Sequence, residues 1–337
     1  LSYFNDLFLF FNKYCIMKNI ALIYGGNSAE HEVSVQSGKN VANNIDRTKY
    51  NIHEVLVKGT SWSVVNKGDS PIEINKDDFS YLLDGEKVTF DKVLMMIHGT
   101  PGENGLLEGY FEMLGIPCTA SSSFASAITF DKYACKSFLR DTGVNLAKDH
   151  FLRKGESYNK EEIIDKLGLP LFVKPCDGGS SFGVTKVKNV EEFDDAIVEA
   201  TREWESVIIE EFIPGREFNQ GIYTKAGELL TLPITEIISE NEFFDYQAKY
   251  LGKSNEVCPA PISNDLVERI SEITKKIYFK LGCKGCVRVD YIVNGDKIYF
   301  LECNTIPGMT KMSLVPQQVA AASLDFTDFL TTLIEEA

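Results

Sequence analysis

The chain has 337 residues, 49 Asp and Glu against 34 Lys and Arg, a formal net charge of −15 and a hydrophobic fraction of 44%. These are the proportions of a globular protein of two or three domains, and they exclude a disordered tail or a fibrous repeat. A field of that sign repels phosphate backbones and anionic lipid, so no nucleic-acid or membrane partner is expected, and an anionic substrate would need locally placed cations or metal ions.

Residues 1–16 (LSYFNDLFLFFNKYCI) are aromatic-rich but broken by Asn5, Asp6, Asn12 and Lys13. They are too short and too interrupted for a secretory signal or a membrane span, and read as an extension ahead of Met17, outside the fold. The chain is expected to be cytoplasmic. Its 8 cysteines are scattered, which suits reduced thiols, and the single CxxC, Cys283-Lys284-Gly285-Cys286, reads as two semi-buried thiols rather than a zinc or redox site.

From Met17 the pattern alternates strand and helix. Apolar runs at 20–24, 52–57 and 92–97 read as strands, and Leu106, Leu107, Tyr110, Phe111 and Leu114 share one helical face. That is a βαβ-type unit with a parallel sheet, whose ligand edge lies at the strand C-termini. Gly25-Gly26 precedes a helix expected to start near Ser34, capped by Ser34 or Glu32. The run is not GxGxxG, so a dinucleotide site is unsupported. A second segment has a helix over 125–142, a strand at 171–174, a glycine-rich loop, a strand at 184–188, a helix over 190–204 and a strand at 207–212. A third has strands near 217–223 and 229–235, a polar loop at 239–257, a helix over 266–281, a hairpin over 287–303 and a closing helix near 327–335. The expectation is three α/β domains at 17–120, 121–212 and 213–337.

The hairpin carries the most chemistry. Arg288 and Asp290 share one strand face, as do Glu302 and Asn304 on the return strand. A two-residue Asn294-Gly295 turn would put Asp290 and Glu302 on opposite faces. A three-residue turn over 294–296 would set Arg288 opposite Glu302, with Asp290 and Asn304 on the same face. Two carboxylates and an amide converging there suit Mg²⁺; an Arg288–Glu302 pair on a solvated face is the plain alternative. Gly178-Gly179-Ser180-Ser181-Phe182-Gly183, between two strands, resembles a lid whose N–H groups cover a polyphosphate, or else is a simple glycine hairpin. Lys132 and Lys174 flank it. Glu30 could hold a substrate ammonium or serve as a helix cap, and His98 could face a ligand or be a satisfied core histidine.

In this order the motifs GGNSAEHEVSVQSG (25–38), HGTPGENG (98–105), FDK (130–132), KPCDGGSSFGV (174–184), EEFIPGREF (210–218), FDYQAKY (244–250), GCKGCVRVD (282–290) and LECNTIPGMTKMSLVP (301–316) resemble those of the D-alanine–D-alanine ligases of the ATP-grasp superfamily, from Met17 to the C-terminus. The resemblance implies a three-domain α/β ATP-grasp architecture with a Rossmann-like, parallel-sheet N-terminal domain. It also implies ATP-dependent joining of two D-alanines through a D-alanyl phosphate.

By resemblance, Glu30 binds the first ammonium with His98 nearby, and Ser180 and Tyr250 link to Glu30 and close the loops. Arg288 and the Gly308 N–H form the oxyanion hole, and Ser313 and Leu314 hold the second carboxylate. Lys132, Lys174 and Lys249 are the phosphate lysines, with Ser181 on the same ATP loop. Glu210, Phe212 and Ile213 form the adenine edge, and Glu217 binds the ribose. Asp290, Glu302 and Asn304 hold two Mg²⁺ ions, or Mn²⁺ in their place. A homodimer is implied by resemblance only. Thr100 and Asn104 stand where a basic and an acidic residue are more usual. The alternatives are a D-alanine–D-lactate or D-alanine–D-serine ligase, or a catalytically dead ATP-binding regulator.

Overall fold

The computed structural model describes residues 17–179, 182–239 and 254–337. The expected extension, 1–16, lies outside them. The first sheet is built on β1 (Lys18–Gly25), buried from Ile20 onward on both faces as a central parallel strand must be. α1 (His31–Asn44) leads to β2 (Tyr50–Lys58), parallel to β1 with Ile20 opposite Ile52. β3 (Ser61–Val64) and β4 (Ile72–Glu73) extend the sheet antiparallel, and β5 (Tyr81–Leu83) and β6 (Glu86–Val88) form a separate hairpin. β7 (Lys92–Met95) then returns parallel to β1. The order β4-β3-β2-β1-β7 sets the C-terminal ends of β1 and β7 side by side, so Gly25-Gly26 and His98 meet at one edge.

α1 begins before Ser34, which does not cap it. The Ser34 hydroxyl is buried, donating to the Met96 carbonyl at 2.6 Å and accepting from the Gly25 N–H at 2.8 Å. It ties the helix to the sheet edge. α2 (Leu106–Leu114) spans the residues expected, burying Leu107 and Phe111 and stopping at a left-handed Gly115.

The helix expected over 125–142 is instead α3 (Ser123–Phe130), α4 (Lys132–Leu139) and a 3-10 turn at Arg140–Thr142. Asp131 makes the break. Its backbone is extended, and its carboxylate accepts the Ala134 N–H at 2.8 Å, a cap that competes with helix continuation. The Lys132 N–H then donates to the Cys176 carbonyl at 2.8 Å, seating the start of α4 against the glycine-rich loop.

β8 (Asn145–Leu146), β9 (Asp149–Arg153), α5 (Lys160–Leu167), β10 (Leu171–Pro175), β11 (Thr185–Val187), α6 (Phe193–Ala200) and β12 (Ser206–Glu211) follow. α6 is shorter than the expected 190–204, entered by a 3-10 turn at Val190–Glu192. The central sheet runs antiparallel in the order β11-β10-β12-β9. Leu171, Val173, Val207 and Ile209 share a core with α5 and α6, so by alternation Phe172, Lys174 and Glu210 face the other way.

The third sheet comprises β13 (Arg216–Lys225), β14 (Glu228–Thr231), β15 (Thr235–Ser239), β16 (Ser254–Val257), β17 (Val287–Asn294) and β18 (Lys297–Asn304), with β8 at its edge. α7 (Asn264–Leu281) packs on it, joined in the same core by Cys135 and Leu139 of α4. α8 (Leu314–Ala321) and α9 (Phe326–Glu336) complete the chain, and Leu330 and Ile334 share a core with Ile20 and Leu22 of the first sheet and Val41 of α1.

Neither expected hairpin register forms. The turn is Gly295-Asp296, with Asn294 opposite Lys297, and a bulge beside Asp290 and Tyr291 then steps the register. Asp290 therefore faces Glu302 directly, and Arg288 faces Asn304. The bulge returns all four polar residues to one face, which the turn length alone would not.

Glu108 on α2 is 2% exposed, and neither carboxyl oxygen has a hydrogen-bond partner among the described residues. Burial pushes its carboxyl up to about 8. A raised acid favours the fold below the unfolded value near 4.5, and that contribution is lost as pH climbs towards 8. Glu108→Gln should match wild-type stability at pH 4.5 and exceed it at pH 9 by on the order of 2–4 kcal/mol. Urea unfolding across that range measures it; a difference independent of pH would contradict the assignment.

Candidate active site

A cleft of about 650 Å³ opens where the three sheets meet. From the first sheet come Glu30, at the start of α1, and His98, just past β7. The Glu30 carboxylate lies between two glycines: a Cβ on Gly99 would sit 3.1 Å from its Oε2, and one on Gly179 only 2.9 Å. Glycine at 179 thus lets the central sheet's loop close on Glu30.

His98 is 5% exposed. Its Nδ1 is 2.9 Å from the Ile306 carbonyl, which can only accept, so Nδ1 carries the proton. Nε2 then accepts from the Ser37 hydroxyl at 2.8 Å, and Ser37 Oγ accepts the Met309 N–H at 3.1 Å. Burial lowers the His98 pKa against the opposing charge of Glu30, keeping the imidazole neutral. The core reading of this residue holds, since it is buried and satisfied, and it also lines the cleft. Glu103 accepts from the Gly99 N–H at 2.7 Å and the Ile306 N–H at 3.4 Å. Burial, and then the charge of Glu30, push its carboxyl up to about 8.

The third sheet contributes Arg288, Glu302 and Asn304, followed by Gly308, Ser313 and Leu314. Arg288 grips Asp290 with two hydrogen bonds, Nε to Oδ1 at 2.8 Å and a terminal nitrogen to Oδ2 at 2.7 Å, and stands 3.8 Å from Glu302. Asn304 donates to Asp290 Oδ2 at 3.3 Å. Ser313 stands at the N-cap position of α8 but makes no capping bond, its hydroxyl accepting the Thr310 N–H at 3.1 Å instead, so its side chain leaves the first N–H groups of that helix uncapped. A Cβ at Gly308 would fall 2.7 Å from Ser313 Oγ, which keeps that N–H on a bare stretch of backbone.

Of the residues expected to meet a nucleotide, Lys132 lines this cleft, and Lys174 and Glu210 lie close enough to Lys132 to act on its charge. Lys132 donates to the Gly178 carbonyl at 2.6 Å, and burial lowers its pKa. Lys174 pairs with Glu210 at 2.7 Å. Phe212 lies 6.0 Å from Phe172, ring to ring, and Ile213 follows it beyond β12. Glu217 stands on β13 opposite Ile292. The expected Ser180, Ser181, Lys249 and Tyr250 lie outside the described residues.

Asp290 facing Glu302, with the Asn304 amide alongside, is a set of hard oxygen donors that fits Mg²⁺. Among the described residues no three His, Cys, Asp or Glu side chains gather into a metal site, so a third side-chain donor at this place would have to be the amide oxygen of Asn304.

Sequence reasoning passed over Ser37, Glu103 and Lys136. Glu103 sits inside the HGTPGENG run, so its signal was present. Ser37 occupies a helical position that looks like an ordinary small core residue. Lys136 looks like a surface charge on an amphipathic helix, yet it is 2% exposed between Asp149 and Glu210.

Two family descriptions match the chain, D-ala D-ala ligase N-terminus over residues 19–121 and D-ala D-ala ligase C-terminus over residues 138–335. A D-alanine–D-alanine ligase from Phocaeicola vulgatus is 46% identical over 319 residues, 94% of this chain and 98% of its own length. The solved VanG D-Ala:D-Ser ligase from Enterococcus faecalis is 32% identical with a TM-score of 0.83, covering 95% of this chain and 99% of its own. The D-alanine–D-alanine ligase from Bacillus anthracis complexed with ATP is 30% identical with a TM-score of 0.77, covering 95% and 97%.

Ser37→Ala would strip a partner from His98 Nε2 and from the Met309 N–H, both buried. The expected cost is about 1–3 kcal/mol in urea unfolding. A change under about 0.5 kcal/mol, typical of ordinary surface positions, would remove Ser37 from the framework of the site.

Proposed function

The chain belongs to the D-alanine–D-alanine ligase family, and we propose from that premise that it joins two D-alanines into D-alanyl-D-alanine at the expense of ATP, supplying a peptidoglycan precursor. The observation that carries this is the convergence of Glu30 and His98 with Arg288, Gly308 and Ser313 on one cleft, with Lys132 and Lys174 at its nucleotide side.

The first D-alanine rests its ammonium on Glu30, with neutral His98 beside it adding no repelling charge. Its carboxylate oxygen attacks the γ-phosphorus of ATP, ADP leaves, and a D-alanyl phosphate results. Lys132, Lys174 and Lys249 hold the phosphates, with Ser181 on the covering loop. Glu210, Phe212 and Ile213 take the adenine, and Glu217 takes the ribose. The second D-alanine docks its carboxylate on the N-terminus of α8 at Ser313 and Leu314, and its amine attacks the acyl carbon. The oxyanion of the tetrahedral intermediate is received by Arg288 and the Gly308 N–H, and inorganic phosphate departs as the carbonyl re-forms. Ser180 and Tyr250, which lie outside the described residues, keep the loop-closing role that the resemblance implies. Two Mg²⁺ ions, with Mn²⁺ as a substitute, would be held by Asp290, Glu302 and Asn304 and would neutralise charge on the transferring phosphoryl group. No side chain stands as an obvious general base, so orientation and fixed charges supply most of the rate.

In this reading the segment 17–120 serves the first D-alanine, 121–212 the nucleotide, and 213–337 the metal and the second D-alanine. The protein works as a homodimer in the cytoplasm, where ATP is available. Among the described residues no helix is long and apolar enough to cross a membrane.

The test is phosphate release by purified protein with ATP, Mg²⁺ and D-alanine, the product identified by mass, then repeated with D-serine or D-lactate added. D-alanyl-D-alanine as the main product, absent without Mg²⁺, is expected. Mainly D-alanyl-D-serine or the depsipeptide would move the chain to that substrate class, and no turnover despite ATP binding would overturn the activity. Arg288→Ala should lower kcat by about 10²–10³ with little change in the KM for ATP. Normal turnover in that variant would sink the oxyanion assignment.

A further inference from the structure

Lys136 is a lysine with almost no water. It is 2% exposed, and its ammonium donates to the Ala147 carbonyl at 2.9 Å, pairs with Asp149 Oδ2 at 3.1 Å and contacts Glu210 Oε1. Asp149 is anchored from its other oxygen by Arg140 at 2.8 Å, and Glu210 gives its second oxygen to Lys174 at 2.7 Å. These five side chains form one line, Arg140–Asp149–Lys136–Glu210–Lys174, from the exposed end of α4 to the nucleotide side of the cleft. Charges alternate along it, so removing the middle cation leaves two buried carboxylates facing each other's field.

We propose that Lys136 is a positioning residue for nucleotide recognition, acting through Glu210: it fixes the Glu210 carboxylate as an ionised acceptor for the 6-amino group of adenine and, through that carboxylate, places Lys174 for the phosphates. The inference rests on Glu210 lying at the adenine edge. The two oxygens of Glu210 are held from opposite sides, Oε1 by an ammonium locked in α4 and Oε2 by one on β10, so the carboxylate plane has little freedom to turn. Burial alone would favour its neutral form. Against it, Lys174 and then Lys136 hold the carboxyl down at about 2. An ionised carboxylate accepts from an amine and repels a 6-oxo group, which is the difference between adenine and hypoxanthine. A protonated carboxyl loses that preference because it can donate. The geometry therefore makes base selectivity depend on a residue that does not touch the nucleotide.

The test compares kcat/KM for ATP and for ITP in the full-length wild type, Lys136→Met, Lys136→Gln, Lys136→Arg and Glu210→Gln. Lys136→Gln keeps a donor without the charge and stands in if the methionine variant does not fold. The expected result is an ATP/ITP ratio at least about tenfold lower in Lys136→Met or Lys136→Gln and in Glu210→Gln, a raised KM for ATP, an unchanged KM for D-alanine, and partial recovery in Lys136→Arg. A purely structural role would lower thermal stability and active fraction without moving that ratio. If Glu210→Gln lowers the ratio and neither the methionine nor the glutamine variant at 136 does, the role of Lys136 is overturned while the adenine assignment stands. If Glu210→Gln itself leaves the ratio unchanged, the adenine assignment fails and the inference with it.

Discussion

A carboxylate taken out of water must be given cations, N–H donors or a proton, and the cleft is organised by which of these each acid receives. Asp290 receives the two-pronged grip of Arg288. Glu210 receives two lysines and stays ionised. Glu103 receives two backbone N–H groups but also the field of Glu30, and its carboxyl is pushed up to about 8. Glu108, in the first turn of α2, has no hydrogen-bond partner among the described residues and is pushed up likewise. In a chain of net charge −15, this allocation decides where negative charge may accumulate. Glu30, Glu103 and Glu302 line the cleft itself, so the acids it exposes and the one it raises lie side by side.

The same bonds hold the segments in register. Glu103 and His98, from the first sheet's edge, both bind Ile306, one through its N–H and the other through its carbonyl. Ser37 adds Met309. The backbone from 304 to 309, which carries Asn304 and Gly308, is thus clamped by α1 and the 98–103 loop. A shared core containing Leu22 and Leu330 backs the clamp with apolar packing. The central sheet is attached differently, through Lys132 on the Gly178 carbonyl, the close approach of Gly179 to Glu30, the pairs of Lys136 with Asp149 and Glu210 and of Arg140 with Asp149, and Tyr133 stacked on Phe151.

The sequence made the main strands and longer helices legible because their apolar periodicities are strong: β1, α2 and α7 lie where hydrophobic spacing puts them. It was less informative wherever one residue changed the geometry. Asp131 splits a continuous helical pattern because its side chain caps the next helix, and the amphipathic spacing runs straight through the break. The hairpin register hinged on a bulge, which alternation within either strand does not announce. β3 to β6 are short and mostly at an edge, so they lack the length for a period to emerge. The site residues were legible in proportion to their motifs. The residues named lie in or beside long signature runs, but Ser37 and Glu103 lie inside such runs too and were passed over, as was Lys136, because their significance lies in what they reach across the fold.

Lys136 illustrates why that class of residue escapes linear reading. On α4, Lys136 and Leu139 occupy adjacent faces of the helix, and a lysine next to a buried leucine ordinarily extends to solvent. Here β9 and β12 lie across its path, each offering an acid, and the ammonium is trapped between them. Isolated burial of that charge would be prohibitive, and each carboxylate alone would be as costly. Their mutual neutralisation makes the arrangement tolerable, and it leaves Glu210 pinned where a base can meet it. Replacing the three charges by packed apolar side chains could stabilise the fold. Such a core would keep no acceptor for an amino group, so what the buried charges contribute is selectivity rather than stability.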